Sequence, residues 1–328
     1  MAAPLDELLR KMIEVSASDL HLKVGSPPVM RIDGELHPTS LPVLSPQDTE
    51  TYAEGIFTQR GAKEFRDLGE ADFAYGKAEL GRFRVNVFRQ RGSVGLVMRR
   101  VQTVMQSFDE LGLPRVLEKL ALEQRGLVLV TGPTGSGKTT TLAAMIDYMN
   151  ENRSSNIVTI EDPIEVLHSD KSSIVSQREI GMDTRSFSEA LKRVLRQDPD
   201  VILIGEMRDS ETVQAALQAA ETGHLVLSTL HTIDSTETIN RIVDFFPPYQ
   251  QKQTRLLLAG AMRGVVSQRL LEAADGGRVP AIEVLTMNGR VFDRIVDEKQ
   301  THSLEDVIKE SEFYGMQTFD QAILNLFK

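Results

Sequence analysis

Hydrophobic positions along the chain follow two regimes that change near residue 100. Up to that point they are spaced. Leu5, Leu8, Leu9, Met12 and Ile13 recur at the helical period and predict a helix over 5–15. Residues 19–23, 29–32, 72–75, 82–88 and 93–99 read as short antiparallel strands, most of them alternating apolar and polar positions. Asp33-Gly34 predicts a hairpin turn, and Ser45-Pro46 with Asp48 predicts a capped helix start leading through Ile56. A further short helix is expected around 59–65. The strand over 82–88 would turn Phe83, Val85 and Val87 to one side and Arg82, Arg84 and Asn86 to the other.

Beyond residue 100 the apolar runs become continuous. Residues 126–131, 156–160, 201–204 and 225–228 are apolar enough to be buried on both faces, and helical periods follow at 140–149, 187–196, 210–220 and 236–243. Short buried strands alternating with helices predict a parallel sheet covered by helices on both sides. A helix over 116–122 precedes them. Residues 249–265 read as one long helical region, with shorter helices at 291–296 and 303–309. The fold class is therefore α/β in two domains: residues 1–100, a connector over 101–115, and residues 116–328.

Between the first buried strand and its helix stands Gly132-Pro133-Thr134-Gly135-Ser136-Gly137-Lys138-Thr139, which has the spacing of a phosphate-binding loop. Strand, glycine-rich loop and helix in this order expose successive backbone N–H groups to phosphates. Lys138 would supply charge and the Thr139 hydroxyl a ligand for Mg²⁺. Residues Gly132 to Thr140 are the expected contacts of a nucleoside triphosphate, with ATP and Mg²⁺ as cofactors.

In a parallel sheet, ligands sit at the carboxyl ends of the strands. Two acids fall there: Glu161 after one strand and Glu206 after another. One would polarise the attacking water and the other would hold Mg²⁺; Glu161 is the first choice for the water and Glu206 for the metal, although the residues alone allow the reverse. His224 and His231 flank the strand at 225–230, and each could sense the γ-phosphate or meet Glu161, His231 being better placed. Six histidines in all make a histidine metal cluster a poor reading.

Charge sharpens the picture. Residues 1–100 balance 14 Lys and Arg against 14 Asp and Glu, so the net charge of −10 lies wholly on the remainder. Within the balanced part, residues 80–108 hold six arginines and no acid. Arg84 and Arg99, on expected strands, are candidates to reach the phosphates of a neighbouring subunit's nucleotide. A nucleic-acid partner suits the overall acidity and the 5% aromatic content poorly. The absence of cysteine excludes disulfides, thiolate zinc sites and cysteine nucleophiles. No run of about 18 apolar residues and no export-type start are present, so a cytoplasmic protein without direct membrane insertion is expected.

The phosphate loop, Thr159 to Glu165, Gln197 to Asp200 with Gly205 to Asp209, and Glu221 to His224 running into Thr229 to Thr232 together resemble the type II and type IV secretion ATPases. In particular they resemble the type IV pilus retraction ATPases, the PilT type. The resemblance spans nearly the whole chain, including Ser18 to Leu22 and Gly315 to Thr318. It implies a PAS-like N-terminal domain, a RecA-like ATPase domain and a homohexameric ring. It also assigns hydrolysis to Glu161, the second acidic motif to Glu206, a histidine motif to His224 and His231, and arginines from the neighbouring domain to Arg84 and Arg99. ATP hydrolysis would then drive pilus retraction through an inner-membrane platform protein, at the inner face of the cytoplasmic membrane, with a paralogous retraction ATPase as a further partner. Two departures stand out: Phe292 occupies the place of the first arginine in a motif that retraction motors carry, and Lys328 falls short of the family's usual tail. Pilus assembly or type II secretion, or less readily nucleic-acid translocation, are the alternatives; the first two usually come with a longer N-terminal region and a four-cysteine metal site, neither of which this chain has.

Overall fold

The computed structural model describes residues 3–103, 105–274 and 276–327. The chain forms two compact units, residues 1–103 and 104–328. The first contains α1 (Leu5–Glu14), β1 (Asp19–Lys23), β2 (Val29–Ile32), β3 (Glu35–Pro38), α2 (Pro46–Ile56), α3 (Gln59–Leu68), β4 (Glu70–Lys77), β5 (Gly81–Gln90) and β6 (Ser93–Arg100). Among the described residues, its six strands make one antiparallel sheet in the order β3-β2-β1-β6-β5-β4. Asp33 and Gly34 both take left-handed backbone angles, the geometry that a two-residue hairpin between right-twisted strands requires. Ser45 and Asp48 cap α2 reciprocally, each side chain accepting from the other's backbone N–H. Phe83, Val85 and Val87 of β5 are buried with Leu8, Leu9 and Met12 of α1, so alternate residues of the strand, Arg82, Arg84 and Asn86, lie on the opposite face.

The second unit contains α4 (Val116–Ala121), β7 (Gly126–Thr131), α5 (Lys138–Asn152), β8 (Asn156–Glu161), β9 (Ile174–Glu179), α6 (Phe187–Val194), β10 (Val201–Ile204) and α7 (Ser210–Glu221). It continues with β11 (Leu225–Leu230), α8 (Ser235–Asp244), α9 (Pro248–Ala261), β12 (Met262–Glu272), β13 (Arg278–Thr286), α10 (Gly289–Val296), α11 (Leu304–Lys309) and α12 (Phe319–Phe327). Among the described residues, seven strands run in the order β13-β12-β7-β11-β10-β8-β9. All pairs are parallel except β12 with β13. Every residue of β7, β10 and β11 is buried, because helices cover both faces. Leu127, Leu129, Ile202, Ile204 and Val226 pack against α6 to α9, while Val128, Val130, Val201, Leu203 and Leu227 pack toward α4 and α5. The α/β class expected from the chain is observed, with a largely parallel RecA-like sheet in the second unit.

Several elements differ from expectation, among them α12, which the pattern of the chain did not predict. The helical region expected over 249–265 stops at Ala261; from Met262 the chain is extended and enters the sheet as β12 beside β7. Val265 and Val266 suit that pleated, doubly covered place better than a helix. Strand β13 is another difference, and β9, read as part of a polar stretch, is a further one: as an edge strand it needs no apolar alternation. Within the stretch taken as a connector, Phe108 and Leu113 are buried in the core of the second unit. Among the described residues no helix is long and apolar enough to cross a membrane.

Candidate active site

Parallel register brings the carboxyl ends of β7, β8, β10 and β11 to one edge. Leu230 pairs with Thr131, and Ile204 lies between Ile160 and Ser228. The loops that follow these strands surround a cleft of about 560 Å³. Lining it are Thr134, Gly135, Gly137, Lys138, Thr139 and Thr140 from the phosphate loop, together with Glu161, Glu206 and His231.

The loop's shape is imposed by β12 below it. Gly132 has φ +142°, and a Cβ there would stand 2.3 Å from the carbonyl oxygen of Gln268; Gly137 has φ +91°, and its Cβ would stand 2.7 Å from the Gln268 side-chain nitrogen. Only glycine satisfies both the backbone angle and the close approach. The Gln268 amide is in turn held by the buried Thr141 hydroxyl, which donates to it at 2.8 Å. Helix α5 starts at Lys138, aiming its positive end and unpaired first-turn N–H groups into the cleft. The Lys138 ammonium donates to the carbonyls of Gly132 at 2.8 Å and Pro133 at 3.0 Å. Burial lowers its pKa, opposed by the charges of Glu206 and Glu165. Gly132 and Ser136 are buried behind the loop, Pro133 is exposed, and none of the three lines the cleft.

Glu161 ends β8. Its Oε1 accepts from the Thr159 hydroxyl at 2.6 Å and the Gln177 amide at 3.1 Å. Burial pushes its pKa up; those hydrogen bonds and the backbone N–H of Glu165 pull it down, and the Glu165 charge raises it again. Burial of this kind makes a carboxylate a stronger base toward a nearby water. Glu206, two residues past β10, accepts from Arg208 Nε at 2.8 Å and lies 3.1 Å from His231 Nε2. His231 thus meets Glu206, where contact with Glu161 had been one expectation.

His224 is elsewhere. It precedes β11 at the amino edge of the sheet, where its carbonyl accepts from Gly126 N–H and its Nδ1 lies 2.9 Å from the Ala219 carbonyl. A strand of six residues separates it from His231, so it is absent from the cleft lining. Arg84 and Arg99 belong to the first unit, on β5 and β6, directly opposite one another in register. Arg99 Nε pairs with the buried Asp19 at 2.7 Å.

Several contributors escaped the reading of the sequence. Segment 162–168 supplies Asp162, Pro163, Glu165, Val166 and His168 to the cleft wall. His168 carries a pKa lowered to about 4 by burial, so the ring is neutral at pH 7. Glu165 closes the stretch Thr159 to Glu165, whereas His168, Gln177 and Gln268 are single polar residues with no periodicity to mark them.

A phosphate loop facing two strand-end carboxylates across the carboxyl edge of a parallel sheet defines a P-loop ATPase of RecA-like architecture. The profile of the family described as "Type II/IV secretion system protein" matches residues 3–277. The chain belongs to this family. It is 44% identical over 323 residues to "Type IV pilus ATPase PilU" of Pseudomonas aeruginosa, covering 98% of this chain and 84% of that protein. To "Type IV pilus retractation ATPase PilT" of the same organism it is 42% identical over 322 residues, covering 98% and 93%. Its fold matches the crystal structure of the pilus retraction motor PilT with bound ADP at a TM-score of 0.87 and 46% identity, covering 98% of this chain and 96% of that one. The resemblance drawn from the motifs is borne out, and with it a nucleotide-binding ATP hydrolase.

Proposed function

We propose that this chain is a ring motor that hydrolyses Mg²⁺-ATP to retract type IV pili, as the names of its relatives indicate for them. The observation that carries the reading is the convergence of Lys138, Thr139, Glu161, Glu206 and His231 on one cleft at the carboxyl edge of the sheet. Phosphoryl transfer asks a protein mainly for positioning and charge. The first-turn N–H groups of α5 and Lys138 hold the β- and γ-phosphates. Glu161 orients the attacking water and accepts its proton, which the raised pKa of a buried carboxylate favours. His231 and Arg208 fix Glu206, and His231 reports the γ-phosphate to it.

For the metal, the donors in the cleft suit a hard cation. The Thr139 hydroxyl and the Glu206 carboxylate are oxygen ligands, and no group of three or more His, Cys, Asp or Glu forms a protein cage among the described residues. That fits Mg²⁺, which is bound by one or two protein oxygens, waters and the nucleotide's own phosphates. Thr139 and Glu206 would hold the ion there, and it would supply positive charge against the phosphates.

The working assembly is a homohexamer in which Arg84 and Arg99 of one protomer complete the neighbour's site. It acts on an inner-membrane platform protein at the inner face of the cytoplasmic membrane, alongside a paralogous retraction ATPase. Nucleic acid is not a partner. Mixing Arg84→Ala chains with Lys138→Ala chains restores turnover if the arginine acts in trans; mixed rings that stay inactive refute that assignment. A deletion strain with excess pili and no twitching supports retraction, and one without pili refutes it in favour of assembly.

A further inference from the structure

Edge strand β9 lies outside the cleft, yet two of its side chains govern the segment that walls it. Gln177 stands directly beside Thr159 in the parallel register of β8 and β9. Its Nε2 donates both to Glu161 Oε1 at 3.1 Å and to the Val166 carbonyl at 2.8 Å, and its Oε1 accepts from the His168 N–H at 2.9 Å. Two residues on, buried Glu179 accepts from the Ile164 N–H at 3.1 Å. Glu161 therefore shares one amide with the very segment, 162–168, whose side chains line the nucleotide cleft.

We propose that Gln177 is the positioning residue of the hydrolytic carboxylate, locking Glu161 to segment 162–168 so that a shift of that wall re-aims the carboxylate. The inference rests on the reading of Glu161 as the group that orients water. Gln177 itself does not line the cleft, and no contact with nucleotide is required of it. The geometry is economical because a single planar group fixes three partners: a carboxylate oxygen, a backbone carbonyl and a backbone N–H. Thr159, buried on β8, holds the same carboxylate oxygen, but its hydroxyl donates to Glu161 alone and not to segment 162–168. Gln177 is the member of the pair that can transmit.

Two near-isosteric variants test this. Gln177→Met removes the donors and the acceptor, and Gln177→Glu replaces the amide with an acceptor facing the Glu161 carboxylate. Both are expected to lower kcat by about tenfold to a hundredfold, the range that a misplacement of about 1 Å produces, while ADP affinity and KM stay within about twofold. The acid limb of the kcat profile moves to higher pH, since a donor that stabilises the ionised form of Glu161 is lost. Other ionisable groups around Glu161 remain in place: Asp162 and Glu165 on its own loop, Lys138 on α5, Glu206 and Arg208 after β10, His231 after β11, and His168 and Glu179 on the flanking segment and strand.

Unchanged kcat and an unmoved acid limb overturn the inference. So does a fall in kcat matched by an equal fall in ADP affinity with the limb in place, which is the mark of a merely structural role. Gln177→Glu keeps size and polarity and carries the same test should Gln177→Met fail to fold. Glu161→Gln, measured beside them, separates the two claims. If it turns over normally, the reading of Glu161 fails; if it is inactive while both Gln177 variants behave as the parent, only the positioning role fails.

Discussion

Replacing Gln268 by methionine tests how the phosphate loop is held from beneath. The Thr141 hydroxyl donates to Gln268 Oε1 at 2.8 Å, and both side chains are buried. Methionine fills similar volume but accepts weakly, so the hydroxyl of Thr141 loses its partner in a dry place. Leaving one buried group unsatisfied costs about 1–3 kcal/mol, whereas the hydrogen bond itself contributes only about 1 kcal/mol net. Gln268→Met is therefore expected to destabilise the second unit by about 2 kcal/mol. Thr141→Val should cost a comparable amount for the mirror reason, and the double variant less than the two together by about 1 kcal/mol. With a urea m-value of about 2–3 kcal/mol/M, the single variants shift the midpoint by roughly 1 M. Because Gly132 and Gly137 press against this same glutamine, ADP affinity should fall alongside stability. Strict additivity of the two substitutions, or an unshifted midpoint in Gln268→Met, would refute the account of how the loop is supported.

Acid stability depends on His168. Its folded pKa of about 4 lies below the ordinary 6.5, so the unfolded chain binds the proton more readily, and stability falls as pH drops from about 6.5 toward 4. The loss by pH 4 is about 3 kcal/mol, and it should vanish in His168→Phe when unfolding is followed across that range. Leu129, fully buried at the centre of β7, should cost about 2–5 kcal/mol on truncation to alanine, read as a lowered melting temperature. Phe292 lies on α10 outside the cleft, so Phe292→Arg should leave ATP turnover unchanged in a phosphate-release assay.

What could be read from the chain before its structure divides along physical lines. Strands β7, β10 and β11 are apolar throughout because both faces are covered, and the glycines of the phosphate loop mark a backbone requirement that no other residue meets; both signals are local. Strand β9 was missed because an edge strand has a wet side, and β12 because buried Ser267 and Gln268 interrupt its apolar run for the sake of partners on β7 and α5. At the site, Glu161 and Glu206 were legible from their places at or just past strand ends. Gln177 and His168 were not, since their roles arise from parallel pairing of β8 with a strand that the pattern did not disclose. His224 and His231 stand at opposite ends of β11, as their places flanking the strand require, and only His231 lines the cleft.

The central claim is that Glu161 performs the hydrolytic step in a cleft that binds nucleotide without it. Single-turnover ATP cleavage and nucleotide binding measured on the same preparation of Glu161→Gln test this most directly. The expected result is ADP and ATP affinity within about threefold of the parent with phosphate release slowed by at least about a hundredfold, the scale of losing a general base. Cleavage at the parental rate would contradict the assignment.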